Sequence, residues 1–279
     1  MTQKTVAEVV RGQRSVDGAG VHLTRVLHTG TIESFDPFLM LDSFDSSNPA
    51  DYIKGFPEHP HRGIETITYL AQGRIEHRDS LGNAGAITPG DAQWMTAESG
   101  ILHEEMPQAA DRMLGLQFWL NLPKAEKMTQ PKYFDIKAEN VPVAEEAGAR
   151  VHVIAGRYKD IEGAKSHHIP ATFLDIELEA GAELNFPSPA DETSFVFLLE
   201  GDANVAGEDF DEKTAVRLHE GDAITLRAKD APARIVYAQA APLNEPVAWG
   251  GPIVMNTKQE ILDAFADLRN GSFIKEQPK

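Results

Sequence analysis

The feature that most constrains this 279-residue chain is a pattern written twice. "TYLAQG" ends at Gly73 and is followed by "TPGDAQWMTA", with a glycine at position 90; "VFLLEG" ends at Gly201 and is followed by "HEGDAITLRA", with a glycine at position 221. In each copy a hydrophobic strand runs into a glycine turn, and a Gly-Asp turn further on opens another strand. A pattern repeated at this distance implies two homologous β domains. Their boundary is expected in "LPKAEKMTQPKYFDIKAENVPVAEEAG" (122–148), where charge, proline and lysine displace the alternating pattern. A break near residue 135 gives domains of 1–135 and 136–279.

The segments "VHLTRVL" (21–27), "IETITYLAQG" (64–73), "GLQFWLNL" (115–122), "RVHVIAG" (150–156) and "TFLDIELEAG" (172–181) read as short strands separated by turn residues, so the fold is mostly β. The exception is "TKQEILDAFADLRNG" (257–271), a helix with Ile261, Leu262, Phe265 and Leu268 expected on one face. Thr257 and Glu260 make its capping box and Gly271 its stop.

Cysteine is absent, which excludes disulfides, zinc-thiolate sites and thiol nucleophiles. Any metal must be held by nitrogen and oxygen. A net charge of −17 and the lack of a basic run argue against direct nucleic-acid binding. No stretch reaches the roughly 18 apolar residues of a membrane span, and the opening residues lack the apolar run of a signal peptide. A cytoplasmic monomer is expected.

Two spacings carry chemistry. "FPEHPHRGIETI" (56–67) sets His59 and His61 one residue apart, and "GILHEEMP" (100–107) does the same with His103 and Glu105. Alternate residues of a strand share a face, so two such strands side by side in a small barrel aim three imidazoles and a carboxylate at one point. That donor set suits iron(II), manganese, nickel, copper or zinc. Counting the same offsets from Gly201 and Gly221 lands on Pro187, Pro189, Arg234 and Val236, so the second copy carries no such ligands.

"PFLMLDSF" (37–44), "GFPEHPHRGIETITYL" (55–70), "TPGDAQWMTAESGILHEEMP" (88–107) and "GLQFWLNLP" (115–123) resemble the pirin family, and the resemblance runs along the whole chain. It implies two tandem cupin barrels (double-stranded β-helix, or jelly-roll) with a C-terminal helix, and one mononuclear divalent metal in the N-terminal barrel only. Iron(II) is the expected metal, with manganese, nickel, copper, zinc and cobalt as alternatives. Carried over by motif, the ligands are His59, His61, His103 and Glu105. Pirins often have a small residue between the last two, where this chain has Glu104, which could compete for the metal if the strand bulges. Glu65 is the other rival carboxylate, since many cupins take theirs from this segment. It lies four residues from His61, about 13 Å along an extended strand.

The resemblance further implies a dioxygenase of the quercetin 2,3-dioxygenase type, with a small aromatic substrate, dioxygen as co-substrate, and Glu105 as the catalytic base that takes the flavonol 3-hydroxyl proton. The alternative it allows is a non-catalytic, metal-dependent redox regulator that docks on a protein partner, a transcription factor or a metabolic enzyme. His22, His28, His77, His152, His167, His168 and His219 read as structural or surface residues. Phe38, Met40, Trp94, Met95 and Met106 read as barrel core, some of them lining a pocket beside the metal. Arg62 reads equally as a partner of the ligands or a surface charge.

Overall fold

The computed structural model describes residues 2–275. Its contacts divide the chain into two compact units, one of residues 14–138 with 243–279 and one of residues 1–13 with 139–242. The chain ends are therefore exchanged relative to a division into 1–135 and 136–279. The cause is strand pairing. Val6–Arg11 runs antiparallel to Thr214–Leu218, and so completes a sheet of the later unit. A shift of composition marks a connection between domains, but it carries no information about which sheet a terminal strand will join.

Each unit is a jelly-roll barrel built from a seven-stranded and a four-stranded sheet. In the first unit the large sheet runs in the order Lys132–Ile136, Ala92–Thr96, Ile64–Gln72, Met113–Asn121, Phe38–Ser46, Val21–Leu27, Gln13–Asp17. Phe56–His61, Ile101–Pro107, Ile75–Asp79 and Ala84–Ile87 form the small one. The two central strands of the large sheet, Ile64–Gln72 and Met113–Asn121, are buried on both faces along almost their whole length. One face carries Ile67, Tyr69 and Phe118, while the other turns Thr68 and Gln117 toward Glu105. Burial on both sides is why "IETITYL" shows β-branched residues without a clean hydrophobic alternation.

In the second unit the sheet orders are the same strand for strand, with Val6–Arg11 standing where Lys132–Ile136 stands in the first. Its core is one cluster that includes Val151, Ile176, Phe186, Val196, Val216 and Ile235. The equivalence corrects one reading of the repeat. Gly90 and Asp91 precede the strand Ala92–Thr96, whereas Gly221 and Asp222 precede Ala223–Ala228, the counterpart of Ile101–Pro107. Strands Ala203–Val205 and Glu208–Phe210 are shorter than their counterparts, so an interval only three residues longer, 20 against 17, covers one more strand. Arg234 and Val236 thus lie on the wrong strand for comparison with His103 and Glu105. The correct pair of strands, Glu183–Pro187 and Ala223–Ala228, has no histidine and buries Leu184, Phe186, Ile224 and Leu226.

The helix forms as Lys258–Asn270 with both halves of the capping box made, and Gly271 closes it in the left-handed conformation at φ 69°. Its buried side is Ala264 with Ile261, Phe265 and Leu268, packed on Ile253, Met255 and Phe273. Leu262 is instead 60% exposed. One residue advances a helix by about 100°, which carries position 262 off the stripe that 261, 264, 265 and 268 share. No helix among the described residues is long and apolar enough to cross a membrane.

Candidate metal centre

The small sheet of the first unit brings the two motifs together. Phe56–His61 is its edge strand and runs antiparallel to Ile101–Pro107, with His59 opposite His103 and His61 opposite Ile101. An edge strand tolerates the prolines at 57 and 60, which lack an N–H, because one side of it pairs with no neighbour. The register slips between His103 and Glu105, so that Glu105 stands opposite Phe56. On the other side Glu105 is paired with His77 and Glu104 with Arg78.

The three rings converge. His59 Nε2 lies 3.1 Å from His61 Nε2 and 3.0 Å from His103 Nε2. His59 Nδ1 is 2.9 Å from the Pro57 carbonyl oxygen and His61 Nδ1 is 3.0 Å from that of Pro252. A carbonyl only accepts, so both Nδ1 atoms carry the proton and donate, leaving both Nε2 atoms as bare lone pairs in the neutral rings. Burial holds the His61 imidazole well below the usual histidine range, and the neighbouring His103 and His59 push the same way against the Pro252 carbonyl. Burial, with His59 and His77 adding to it, does the same to His103. In these tautomers the lone pairs of His59 and His61, 3.1 Å apart, repel one another. A cation held between them turns that repulsion into binding, so the donor set fits a metal ion.

Glu105 is 2% exposed, and its Oε2 lies 4.0 Å from His103 Nε2. Thr68 Oγ1 donates to its Oε1 at 2.8 Å and Gln117 Nε2 to its Oε2 at 2.7 Å. A third bond, from Gln117 Nε2 to Thr68 Oγ1 at 3.2 Å, closes the group. A carboxylate accepts at roughly four positions, so two bonds orient Glu105 and leave lone pairs free for a cation or a proton.

A cavity of about 590 Å³ reaches the rings of His59 and His61. Met40, Phe56, Trp119 and Trp249 line its apolar part. The Trp119 ring meets His61 edge-on at 5.0 Å, and the Trp249 ring lies 5.6 Å away from it at 30°. Asp17, Arg25 and Asp42 make the polar wall, with Arg25 donating to Asp42 at 2.9 and 2.7 Å and to Asp17 at 2.7 Å.

The rival carboxylates lie elsewhere. Glu65 is an odd number of positions from Thr68 and so projects to the opposite face, where its Oε2 accepts from Trp94 Nε1 at 3.1 Å. Burial pushes its carboxyl up to about 8 against that hydrogen bond. Glu104 points outward and pairs with Arg78 at 2.6 Å. Arg62 is neither a ligand partner nor a surface charge. It is 2% exposed, with Nε donating to the Ser99 carbonyl at 2.7 Å, Nη1 to Asp267 at 2.9 Å and Nη2 to the Phe273 carbonyl at 2.9 Å. Phe38, Met40, Trp94 and Met95 are buried, but Met106 is only partly so, because its strand position alternates with those of the inward Glu105 and Pro107.

A second convergence, His152 with Asp175 and Glu177, occurs in the other unit. There Arg234 already holds Asp175 at 2.9 and 2.6 Å, which makes an ion-pair network of it. Sequence reasoning passed over Thr68, Gln117, Trp119, Trp249 and Pro252. Only the strand alternation could have suggested Thr68 and Gln117, and nothing local marks Trp249 or Pro252, which come from the far end of the chain.

The pirin profile matches residues 20–120 and the pirin C-terminal cupin domain residues 173–274. A pirin-like protein of Caulobacter vibrioides is 41% identical over 98% of this chain and 100% of its own. Human pirin is 39% identical over 96% of this chain and 93% of its own. A crystal structure of quercetin 2,3-dioxygenase from Acinetobacter baumannii superposes with a TM-score of 0.89 at 34% identity, covering 97% of this chain and 98% of that one.

Proposed function

Since the chain belongs to the pirin family, we propose that it is a metal-dependent dioxygenase that opens the central ring of flavonols such as quercetin with dioxygen, releasing carbon monoxide. The metal would be held by His59, His61, His103 and Glu105, in the first unit alone. The observation that carries this reading is access: the cavity of about 590 Å³ runs to His59 and His61 and is lined by Trp119 and Trp249. Its size falls within the range of small-molecule sites.

Three imidazole nitrogens and one carboxylate oxygen would suit a divalent transition metal, and iron(II) is the proposed occupant. Such an ion supplies Lewis acidity toward the substrate oxygen and redox activity toward dioxygen.

The protein's own residues supply the rest. Trp119, Trp249, Phe56 and Met40 offer flat and apolar surface to an aromatic substrate and exclude water from it. Glu105 takes the 3-hydroxyl proton on a carboxylate oxygen, while Thr68 and Gln117 keep that carboxylate in place. Loss of that proton makes the flavonol electron-rich enough to react with dioxygen.

Elemental analysis of the purified protein, followed on the same iron-loaded sample by oxygen uptake with quercetin, tests the reading. One metal per chain with substrate-dependent uptake is expected. One metal with no uptake across a set of flavonols would transfer the site to a redox regulator that binds a protein partner.

A further inference from the structure

The His61 ring is aimed by a group from the other end of the chain, the carbonyl of Pro252, 191 residues away in sequence. What fixes Pro252 is therefore part of the site. Val254 N donates to the Arg62 carbonyl at 3.0 Å, so residues 61–63 and 252–254 lie side by side. They approach so closely that a Cβ at Gly63, whose φ is +77°, would sit 2.0 Å from the Val254 carbonyl oxygen. Two backbones at that distance also bring carbonyl oxygens together, and like dipoles need a shared donor.

Lys127 is that donor. It is 1% exposed, and its Nζ donates to the Gly63 carbonyl at 2.7 Å, the Val254 carbonyl at 3.0 Å and Asn121 Oδ1 at 2.6 Å. An ammonium has three protons, and each has an acceptor here. Each acceptor is neutral, so the arrangement is not an ion pair. Burial pushes this amine down to about 7, with Glu245 and Glu260 acting in the opposite sense, and what the buried donor accomplishes is to join the backbone two residues after His61 to the backbone two residues after Pro252.

Resting on the assignment of His61 as a ligand, we propose that Lys127 is a positioning residue of the metal centre: it clamps the C-terminal segment so that the Pro252 carbonyl holds the His61 ring with Nε2 toward the metal. Partners that orient a ligating histidine are typically worth 10- to 100-fold in metal affinity. One link further out, the expected loss is about 10-fold.

The test uses the full-length protein with cobalt(II) as probe. Lys127→Met removes all three bonds, and Lys127→Gln keeps donors for part of the set and so protects the fold. Cobalt affinity, the visible ligand-field spectrum and the thermal midpoint of the metal-free protein are measured for each. The proposal expects folded variants with about 10-fold weaker cobalt binding and displaced ligand-field bands. A lowered thermal midpoint with wild-type affinity and spectrum would show a structural role only and overturn it. Wild-type protein that takes up no cobalt would overturn the ligand assignment itself, and the inference with it.

Discussion

Gln117 Nε2 donates to Glu105 Oε2 at 2.7 Å from the strand Met113–Asn121. Together with Thr68 it presents only donors to Glu105, so the site is built for a carboxylate. Glu105→Gln would set an amide NH2 against one of these donors or force Gln117 to turn over. The remaining three imidazoles still offer nitrogen, but the base for the 3-hydroxyl is gone. Metal content after iron loading should stay near one per chain while quercetin-dependent oxygen uptake falls by about 100-fold or more. Uptake within a few-fold of wild type would remove Glu105 from the proton transfer.

Glu65 carries the opposite prediction, because its burial serves no ligand. Burial pushes its carboxyl up to about 8 in the folded protein, against the ordinary glutamate value of 4.5. The folded state therefore binds more protons than the unfolded chain between these two values, and stability falls as pH rises through that window. Below about 4.5 the carboxyl is neutral in both states and nothing is lost. Glu65→Gln should be close to neutral in stability near pH 4.5 and stabilising by a few kcal/mol near pH 8. Urea midpoints at the two pH values check this, and an equal shift at both would show that Glu65 is not the cause. Metal content and turnover should hardly change.

The two motifs were legible because strand alternation converts an i, i+2 spacing directly into a shared face, and His59, His61 and His103 do meet. The alternation also separates Glu65 from Thr68, so the sequence itself held the argument against Glu65. What it did not hold was the long-range part. Arg62 follows His61 directly, yet two of its partners are Asp267 and Phe273, and no local pattern announces a contact across two hundred residues. Pro252 and Trp249 were hidden for the same reason. The repeat predicted two similar β domains, but it could not show that Val6–Arg11 and Lys132–Ile136 would occupy equivalent edges, since pairing at a sheet edge leaves little trace in composition.

His61→Ala tests the independence of fold and metal. The ring is 1% exposed and packs on Trp119, so its removal costs some packing, about 1 to 2 kcal/mol. The barrels are also held by clusters of buried apolar side chains, among them Val21, Leu70 and Ile87 in the first unit and Val151, Phe186 and Val216 in the second. Circular dichroism should remain that of a folded β protein while bound metal drops well below one per chain. A variant with full metal occupancy would sink the site assignment.

Arg62 should matter for stability far more than for chemistry. Its guanidinium donates to Ser99, Asp267 and Phe273 and lies 4.2 Å from the centre of the Phe273 ring. Arg62→Met keeps the length of the side chain and removes every one of these bonds. Two buried carbonyls would lose their donor, while Asp267, still bonded to Lys275 at 3.0 Å and partly solvated, would not be left as an isolated charge. The cost should therefore fall below that of a fully buried broken pair, at about 2 to 3 kcal/mol. It should appear in hydrogen exchange as loss of protection in the helix Lys258–Asn270 before the strands of the barrel open. Uniform loss across barrel and helix would mean that Arg62 supports the whole unit rather than the docking of its last segment.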